Sequence, residues 1–173
     1  MSDAAPRHVV LVGMMGVGKS TVGRAVAAEL RRPLFDSDEM IEADVGRTVR
    51  EIWKTDGEQA FRELETATLR RALDDEEPSV IAAAGGVVLS EQNRDALQSP
   101  DAHVVWLLAE VDTLLERVRN GGHRPLLDDD PEATLRRMYD ERAELYREVA
   151  DAVVSVDNRS INEVTRAVLR CCA

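Results

Sequence analysis

Aromatic residues, cysteines and long apolar runs are scarce in this chain, and each shortage excludes a class of protein. Aromatic side chains make up 3% of the 173 residues, so a core must consist mostly of Leu, Val, Ala and Ile. The two cysteines, Cys171 and Cys172, are adjacent, a spacing that gives neither a disulfide framework nor a metal site. No run is long and apolar enough to cross a membrane, and no signal-peptide pattern is visible, so we expect a cytoplasmic protein.

Positive charge is also in short supply. The formal net charge is −11 and the sequence pI is about 4.8, which argues against nucleic acid or an anionic membrane as partner. An anionic ligand would therefore have to bind at a local cluster of arginine and lysine within an acidic body. The length favours a single domain over residues 1–173. No exposed apolar stripe stands out in the sequence, so we expect a monomer.

A phosphate-binding loop pattern lies near the start of the chain. Residues 13–20 read GMMGVGKS and fit G-x-x-x-x-G-K-[ST], between an apolar run of strand type and an amphipathic helix. The glycines let successive backbone N–H groups turn inward, and the positive end of the following helix adds to this anion cradle. Lys19 would reach the β- and γ-phosphates of a nucleotide, and Ser20 would bind Mg²⁺. The nucleotide-binding residues predicted in this segment are Gly16, Val17, Gly18, Lys19, Ser20 and Thr21.

The rest of the chain alternates between strand and helix patterns. The predicted strands are 9–12, 34–35, 80–84, 103–108 and 152–156, and this alternation predicts a three-layer α/β/α domain with a parallel sheet. Asp36 and Asp38 follow the second strand, where such a sheet presents catalytic groups. The stretch 120–131 lacks periodicity, which is typical of a lid or a disordered segment.

Further landmarks follow the loop in a fixed order. They are Asp36-Ser37-Asp38, then Asp56-Gly57-Glu58 with Phe61-Arg62, then Gly85-Gly86, then Arg124-Pro125-Leu126-Leu127, and then Arg142-Ala143-Glu144-Leu145-Tyr146. Together they resemble the shikimate kinase family over about residues 9–169. The resemblance implies a fold like that of the nucleoside monophosphate kinases, with sheet order 2-3-1-4-5 and a closing lid. It also implies transfer of the γ-phosphoryl of ATP to the 3-hydroxyl of shikimate, in chorismate and aromatic amino acid biosynthesis.

The resemblance assigns the acid substrate to five residues. Asp38 matches the carboxylate that contacts the substrate hydroxyls near the attacking oxygen, where it could act as a base or only position the hydroxyl. Arg62 and Arg142 match the pair of guanidiniums that grips the shikimate carboxylate. Gly85 and Gly86 match backbone contacts after the third strand. The substrate-binding helical region would then span about residues 37–74.

The nucleotide side is assigned in the same way. Arg124 matches a lid arginine on the nucleotide phosphates, within a lid of about residues 119–131, and with Lys19 and Asp38 it completes the predicted catalytic set. Asp36 matches a carboxylate near the Mg²⁺ shell and joins Ser20 in the predicted metal site. Arg159 is a candidate on the adenine side. The implied ligands are ATP as co-substrate, Mg²⁺ and shikimate.

Other interpretations stay open at this stage. Ala84 stands where the family usually has the first of three glycines, and the short segment before Arg124 leaves a role for Arg119 against adenine undecided. Arg62 could instead pair with Glu58 on a helix surface, and Asp38 could be a helix N-cap. Two alternative functions are another small-metabolite kinase of the same fold, such as a gluconate kinase, and a nucleotide-binding regulator without catalysis.

Overall fold

A five-stranded parallel sheet runs through the middle of the molecule. The computed structural model of the chain describes residues 6–121 and 129–173. The strands are β1 (His8–Val12), β2 (Leu34–Asp36), β3 (Val80–Ala82), β4 (Ala102–Leu108) and β5 (Ala152–Ser155). Their order is β2-β3-β1-β4-β5, and every neighbouring pair is parallel. The predicted sheet and its order are confirmed.

Seven α-helices accompany the sheet within the described residues. They are α1 (Lys19–Leu30), α2 (Ser37–Val45), α3 (Val49–Leu73), α4 (Glu91–Leu97), α5 (Val111–Asn120), α6 (Pro131–Val149) and α7 (Ile161–Cys171). Helices α1 and α7 pack on each other, while α6 contacts α4, α5 and β4. The helices α1 and α6 therefore belong to separate layers, which gives the predicted α/β/α arrangement. None of the described helices combines the length and apolar character that crossing a bilayer requires.

Local side-chain caps fix where the helices begin. Thr48 and Ser160 each form a capping box with a glutamate three residues on, at the starts of α3 and α7, as the sequence predicts. The sequence pattern also predicts a short helix over 40–43, whereas α2 begins earlier, at Ser37, and ends later, at Val45. Asp36 caps it by accepting hydrogen bonds from the backbone N–H groups of Asp38 and Glu39. Asp38 thus lies inside the helix, and the alternative in which it is the N-cap is wrong.

Helix α3 changes direction at Gly57. The backbone there has φ 86° and ψ 177°, which is not helical, and a side chain would strain such a conformation. The sequence Thr55-Asp56-Gly57 predicts a turn and helix cap, and the chain does turn at Gly57, although the two helical halves follow each other without a loop. The second half buries Phe61, Thr68, Leu69 and Ala72.

Two separate apolar clusters lie within residues 6–121 and 129–173. The large one fills both faces of the sheet. The small one consists of Ile41, Ile52 and Phe61, with Trp53 packed against it, and it joins α2 to both halves of α3. The segment that follows β2 therefore has an apolar core of its own, beside the main core rather than within it.

Candidate active site

The carboxyl ends of β1, β2 and β3 open onto one cavity of about 340 Å³. The phosphate-binding loop lines one side of it, the carboxylates of Asp36 and Asp38 another, and the chain after β3, from Ala83 to Gly85, a third. Parallel strands present their carboxyl ends at the same edge, which is where ligands bind in open α/β sheets. The cavity therefore collects, from separate stretches of sequence, the predicted phosphate, metal and acceptor residues.

The phosphate-binding loop has the backbone that its sequence predicts. Gly13, Gly16 and Gly18 all have positive φ, of 148°, 82° and 102°. A Cβ on Gly13 would lie 2.6 Å from the carbonyl oxygen of Leu107, so the loop could not sit this close to β4 with any larger residue. The Lys19 ammonium donates hydrogen bonds to the carbonyl oxygens of Gly13, at 2.6 Å, and Met14, at 3.0 Å. The Lys19 ammonium thus lies against the loop, in the wall of the cavity.

Ser20 and Asp36 lie side by side beneath the loop. The Ser20 hydroxyl donates a hydrogen bond to the Asp36 carboxylate, which is 6% exposed. Hydroxyl and carboxylate oxygens are the donors that Mg²⁺ takes in phosphoryl-transfer sites, where phosphate and water supply the remaining ligands. The pair fits that ion. No cluster of three or more His, Cys, Asp or Glu able to hold a metal occurs among residues 6–121 and 129–173.

The two predicted carboxylate-binding arginines lie against the two glycines that follow β3. An ideal Cβ on Gly85 would be 3.6 Å from Nη1 of Arg142, and one on Gly86 would overlap the guanidinium of Arg62. Arg142 is 4% exposed although it is charged. The two guanidiniums come from different helices, α3 and α6, and converge on one short turn.

A buried carboxylate, Glu65, joins these two arginines. Nη1 of Arg62 donates to both its oxygens, at 2.7 and 3.0 Å, while the side chain of Glu65 is 2% exposed. Burial raises the pKa of Glu65, and the nearby charge of Asp38 acts in the same direction, whereas Arg62 and Arg142 oppose the shift. Glu65 therefore lies within electrostatic reach of the three predicted substrate-binding side chains. Glu65 is not among the site residues predicted from the sequence.

Arg62 also makes the surface contact that the alternative interpretation proposed. Its Nη2 lies 3.4 Å from Glu58, a long contact with an exposed partner, which contributes a few tenths of a kcal/mol at most. Its guanidinium carbon lies 5.4 Å from the ring centre of Trp53 and 5.8 Å from that of Phe61. The contacts with Glu65 and the two rings, not the one with Glu58, therefore hold Arg62 over Gly86.

A second cavity, of about 290 Å³, lies on the other side of the phosphate-binding loop. Its walls include Gly16, Val17, Arg117 and Arg159. Nη1 of Arg117 donates to the carbonyl oxygens of Gly16, at 3.3 Å, and Val17, at 3.0 Å. Arg119 lies instead in a separate depression with acidic residues of α5 and α6. On helix α5, Arg117 and not Arg119 faces the loop.

The predicted lid arginine, Arg124, and residues 122–128 lie outside the described residues. Before them α5 ends at Asn120, and beyond them α6 begins with Pro131 in its first turn. Asp130 caps α6 by accepting a hydrogen bond from the backbone N–H of Ala133.

Comparisons with known proteins agree with one another. The family model described as shikimate kinase matches residues 15–173. A shikimate kinase from Symbiobacterium thermophilum is 41% identical over 165 residues, covering 94% of each chain. One from Chromohalobacter salexigens is 43% identical over 163 residues, covering 94% of this chain and 89% of that one. The solved structure of Acinetobacter baumannii shikimate kinase in complex with shikimate superposes with a TM-score of 0.89 at 35% identity, over 94% of this chain and 90% of that one. The chain therefore belongs to the shikimate kinase family.

Proposed function

We propose that this protein transfers the γ-phosphoryl group of ATP to the 3-hydroxyl of shikimate, giving 3-phosphoshikimate and ADP. The observation that carries the proposal is the convergence of Arg62 and Arg142 on Gly85 and Gly86, beside a phosphate-binding loop. Two guanidiniums from separate helices form a fork that suits a planar carboxylate. In a protein of net charge −11, two arginines that converge on one turn would give a local site for an anion, and shikimate is both an acid and an alcohol.

The acceptor hydroxyl would be held at Asp38. With the carboxylate of shikimate on the arginine pair, the ring hydroxyls reach toward the start of α2, where Asp38 lines the same cavity as Lys19. The hydroxyl oxygen forms the new bond to phosphorus, its proton passes to the Asp38 carboxylate, and the bond from phosphorus to the β-γ bridging oxygen breaks to release ADP. General-base assistance of this kind contributes about 10²- to 10⁴-fold in rate.

The nucleotide would lie along the loop from one cavity to the other. The N–H groups of residues 16–21 and the start of α1 would cradle the phosphates, and Lys19 would exchange its carbonyl partners for the β- and γ-phosphates. Ser20 and Asp36 would hold Mg²⁺, which when bound neutralises charge on the phosphate oxygens. Arg117 and Arg159 would contact the nucleoside end, and Arg124 would complete the charge around the transferred group.

The domain boundaries proposed from the sequence separate the acid-binding region from the core and from the lid. One kinase domain would span residues 1–173, with its core over about 8–170, its acid-binding region over about 37–74 and its lid over about 119–131. The region 37–74 has the small apolar cluster of Ile41, Ile52 and Phe61, and it carries both Asp38 and Arg62. The acid-binding groups would thus belong to a unit that can adjust to substrate without disturbing the phosphate-binding loop.

The reaction is tested by release of ADP from purified protein with ATP and Mg²⁺. Shikimate should support turnover and gluconate should not. Turnover with gluconate in place of shikimate would favour the small-metabolite alternative, and ATP binding without turnover on either would favour a regulator.

The role of Asp38 has its own variant. Asp38→Asn should lower kcat at least about 100-fold, because the amide cannot accept the hydroxyl proton, while the affinity for ATP stays within about twofold. The matched control is Asp44→Asn, on the same helix, whose exposed carboxylate pairs with Arg71 and should leave kcat unchanged. An equal loss of ATP affinity in Asp38→Asn would contradict the assigned role.

A further inference from the structure

A buried tyrosine, which the mechanism above does not use, lies beside the arginine pair. Tyr146 follows Arg142 by one turn of α6 and is 1% exposed. Its ring stacks on Trp106 of β4, with centroids 5.7 Å apart and planes 30° apart. Because Trp106 is fixed in the sheet, the phenol has one available position.

The Tyr146 hydroxyl lies close to two groups of the proposed acid site. It donates a hydrogen bond to the carbonyl oxygen of Gly85 at 2.6 Å, and the Arg142 guanidinium, with Nη1 near Gly85 as well, is close enough for its charge to act on the phenol. Burial raises the pKa of Tyr146 to about 12, although the charge of Arg142 acts in the opposite direction. The phenol therefore keeps its proton and its bond to Gly85, beside the Arg142 guanidinium.

The Gly85 peptide is a sensitive place for such a bond. A Cβ built on Gly85 would lie 3.4 Å from the carbonyl oxygen of Gly13 and 3.5 Å from the backbone nitrogen of Met15, with Nη1 of Arg142 at 3.6 Å. The turn after β3 is thus wedged between the phosphate-binding loop and the arginine. A small movement of Gly85 would change the distance between the two proposed substrates.

We propose that Tyr146 is a positioning residue for the acid substrate, holding the Arg142 guanidinium and the Gly85 peptide in the arrangement that the substrate carboxylate and ring require. The inference rests on the proposed function, in which Arg142 binds that carboxylate. The phenol acts through these two groups and not by contact with substrate. Its hydroxyl is bonded to the backbone of the turn after β3, and Nη1 of Arg142 lies near the same glycine.

Tyr146→Phe tests the proposal because it keeps the ring on Trp106 and removes only the hydroxyl. The KM for shikimate should rise about three- to tenfold, the range for loss of one hydrogen bond, while the KM for ATP stays within twofold. The control is Tyr139→Phe, on the same helix and partly buried, which should change neither KM. A rise of both KM values together, or of neither, would overturn the proposal.

A double-mutant cycle separates this inference from the proposed function. Arg142→Ala alone should raise the KM for shikimate, and adding Tyr146→Phe should then change it less than twofold, because the phenol no longer has a guanidinium to hold. An equal effect of Tyr146→Phe with and without Arg142 would refute the positioning role while leaving the proposed function intact. If Arg142→Ala leaves the KM for shikimate unchanged, the proposed role of Arg142 fails first.

Fluorine NMR gives a measurement that does not depend on Tyr146→Phe folding. The chain has two tyrosines, so Tyr139→Phe protein grown with 3-fluorotyrosine carries a single label at Tyr146. Saturating shikimate should shift this resonance, because the substrate carboxylate pairs with the Arg142 guanidinium and so changes the electric field at the neighbouring phenol. An unchanged resonance at saturating shikimate would overturn the proposal.

Discussion

Replacing Gly86 by alanine should separate acid binding from nucleotide binding. The backbone at Gly86 has φ −87° and ψ 0°, a conformation that alanine can adopt. The obstacle is steric: the added Cβ would overlap Nη1 of Arg62 and lie 2.5 Å from its Cζ. Since the guanidinium is the free end of a flexible side chain, it should move aside and leave the turn in place.

The displacement has a calculable effect on substrate binding. A charged hydrogen bond contributes about 1.5–3 kcal/mol, so loss of the Arg62 contact to the substrate carboxylate should raise the KM for shikimate about 10- to 100-fold. The free energy of unfolding should change less than the free energy of shikimate binding. The contacts of Nη1 with Glu65, at 2.7 and 3.0 Å, would be lost. Arg142 stays near Glu65, and the alanine lowers the entropy of the unfolded chain by the equivalent of about 0.4–1 kcal/mol.

Steady-state kinetics with each substrate varied in turn measures the two KM values separately. The KM for ATP in Gly86→Ala should stay within twofold of the unaltered protein, and a thermal melt should show a fall of no more than about 5 °C. In an Arg62→Ala background the alanine at 86 meets no guanidinium, so it should cause no further loss. A folded Gly86→Ala protein with an unchanged KM for shikimate would refute the placement of Arg62 in the acid site.

Three other substitutions test separate parts of the structure. In the unaltered protein the affinity for shikimate should fall as pH rises through the raised pKa of Glu65, because the ionised carboxylate repels the substrate. Glu65→Gln should abolish this pH dependence, and titration of the KM for shikimate from pH 5 to 9 measures it. Arg117→Ala should raise the KM for ATP about tenfold, through loss of its bonds to the loop carbonyls, whereas Arg119→Ala on the same helix should not; equal effects would contradict the assignment. Burial lowers the pKa of His8 below 6.5, so the stability that its neutral ring contributes is full above that value and is lost as pH falls through the lowered pKa. His8→Gln should therefore flatten the decline of Tm between pH 7 and 5, and an unchanged decline would exclude His8 as its cause.

Much of the fold could be predicted because its signals are local. The order of strands and helices follows from the periodicity of apolar residues and from the Gly, Pro and polar residues between the segments. The capping boxes at Thr48 and Ser160 each lie within four residues of sequence. Gly57 marked the kink because few other residues tolerate its backbone. The start of α2 was missed because Asp36 both ends β2 and caps the helix, so that no separating turn is visible.

The site residues that were missed depend on partners far away in sequence. The apolar spacing in α3 predicts a core stripe of Phe61, Leu64, Thr68 and Ala72, but Glu65 is buried while Leu64 is only half-buried. Burying a carboxylate costs free energy, so a hydrophobic pattern does not predict a buried glutamate. The compensating charges come from Arg62 and from Arg142, which lies in another helix. The burial of Tyr146 likewise depends on Trp106 in β4 and on the β3 turn, neither of which is near it in the sequence.

The choice between Arg117 and Arg119 shows the same limit in a helix. Both lie near the end of α5, and of these two only Arg119 was a sequence-based candidate for the adenine side, along with Arg159 outside the helix. The rotation of α5 about its axis is set by Leu114 and Leu115, which are buried in the main apolar cluster, and this rotation turns Arg117 toward the loop. The positions of the apolar residues along α5 predict which face of the helix is buried. They indicate that Arg117 faces the loop only once the position of the loop relative to α5 is known.

The small apolar cluster of Ile41, Ile52 and Phe61 has a consequence for how such an enzyme can diversify. Mutations that repack this cluster would alter the spacing of Asp38 and Arg62 while the sheet and the phosphate-binding loop keep their own support. Acceptor preference and phosphate chemistry are thereby open to selection along largely independent routes. A laboratory library restricted to the neighbours of this cluster would be the economical place to seek variants that phosphorylate other hydroxy acids.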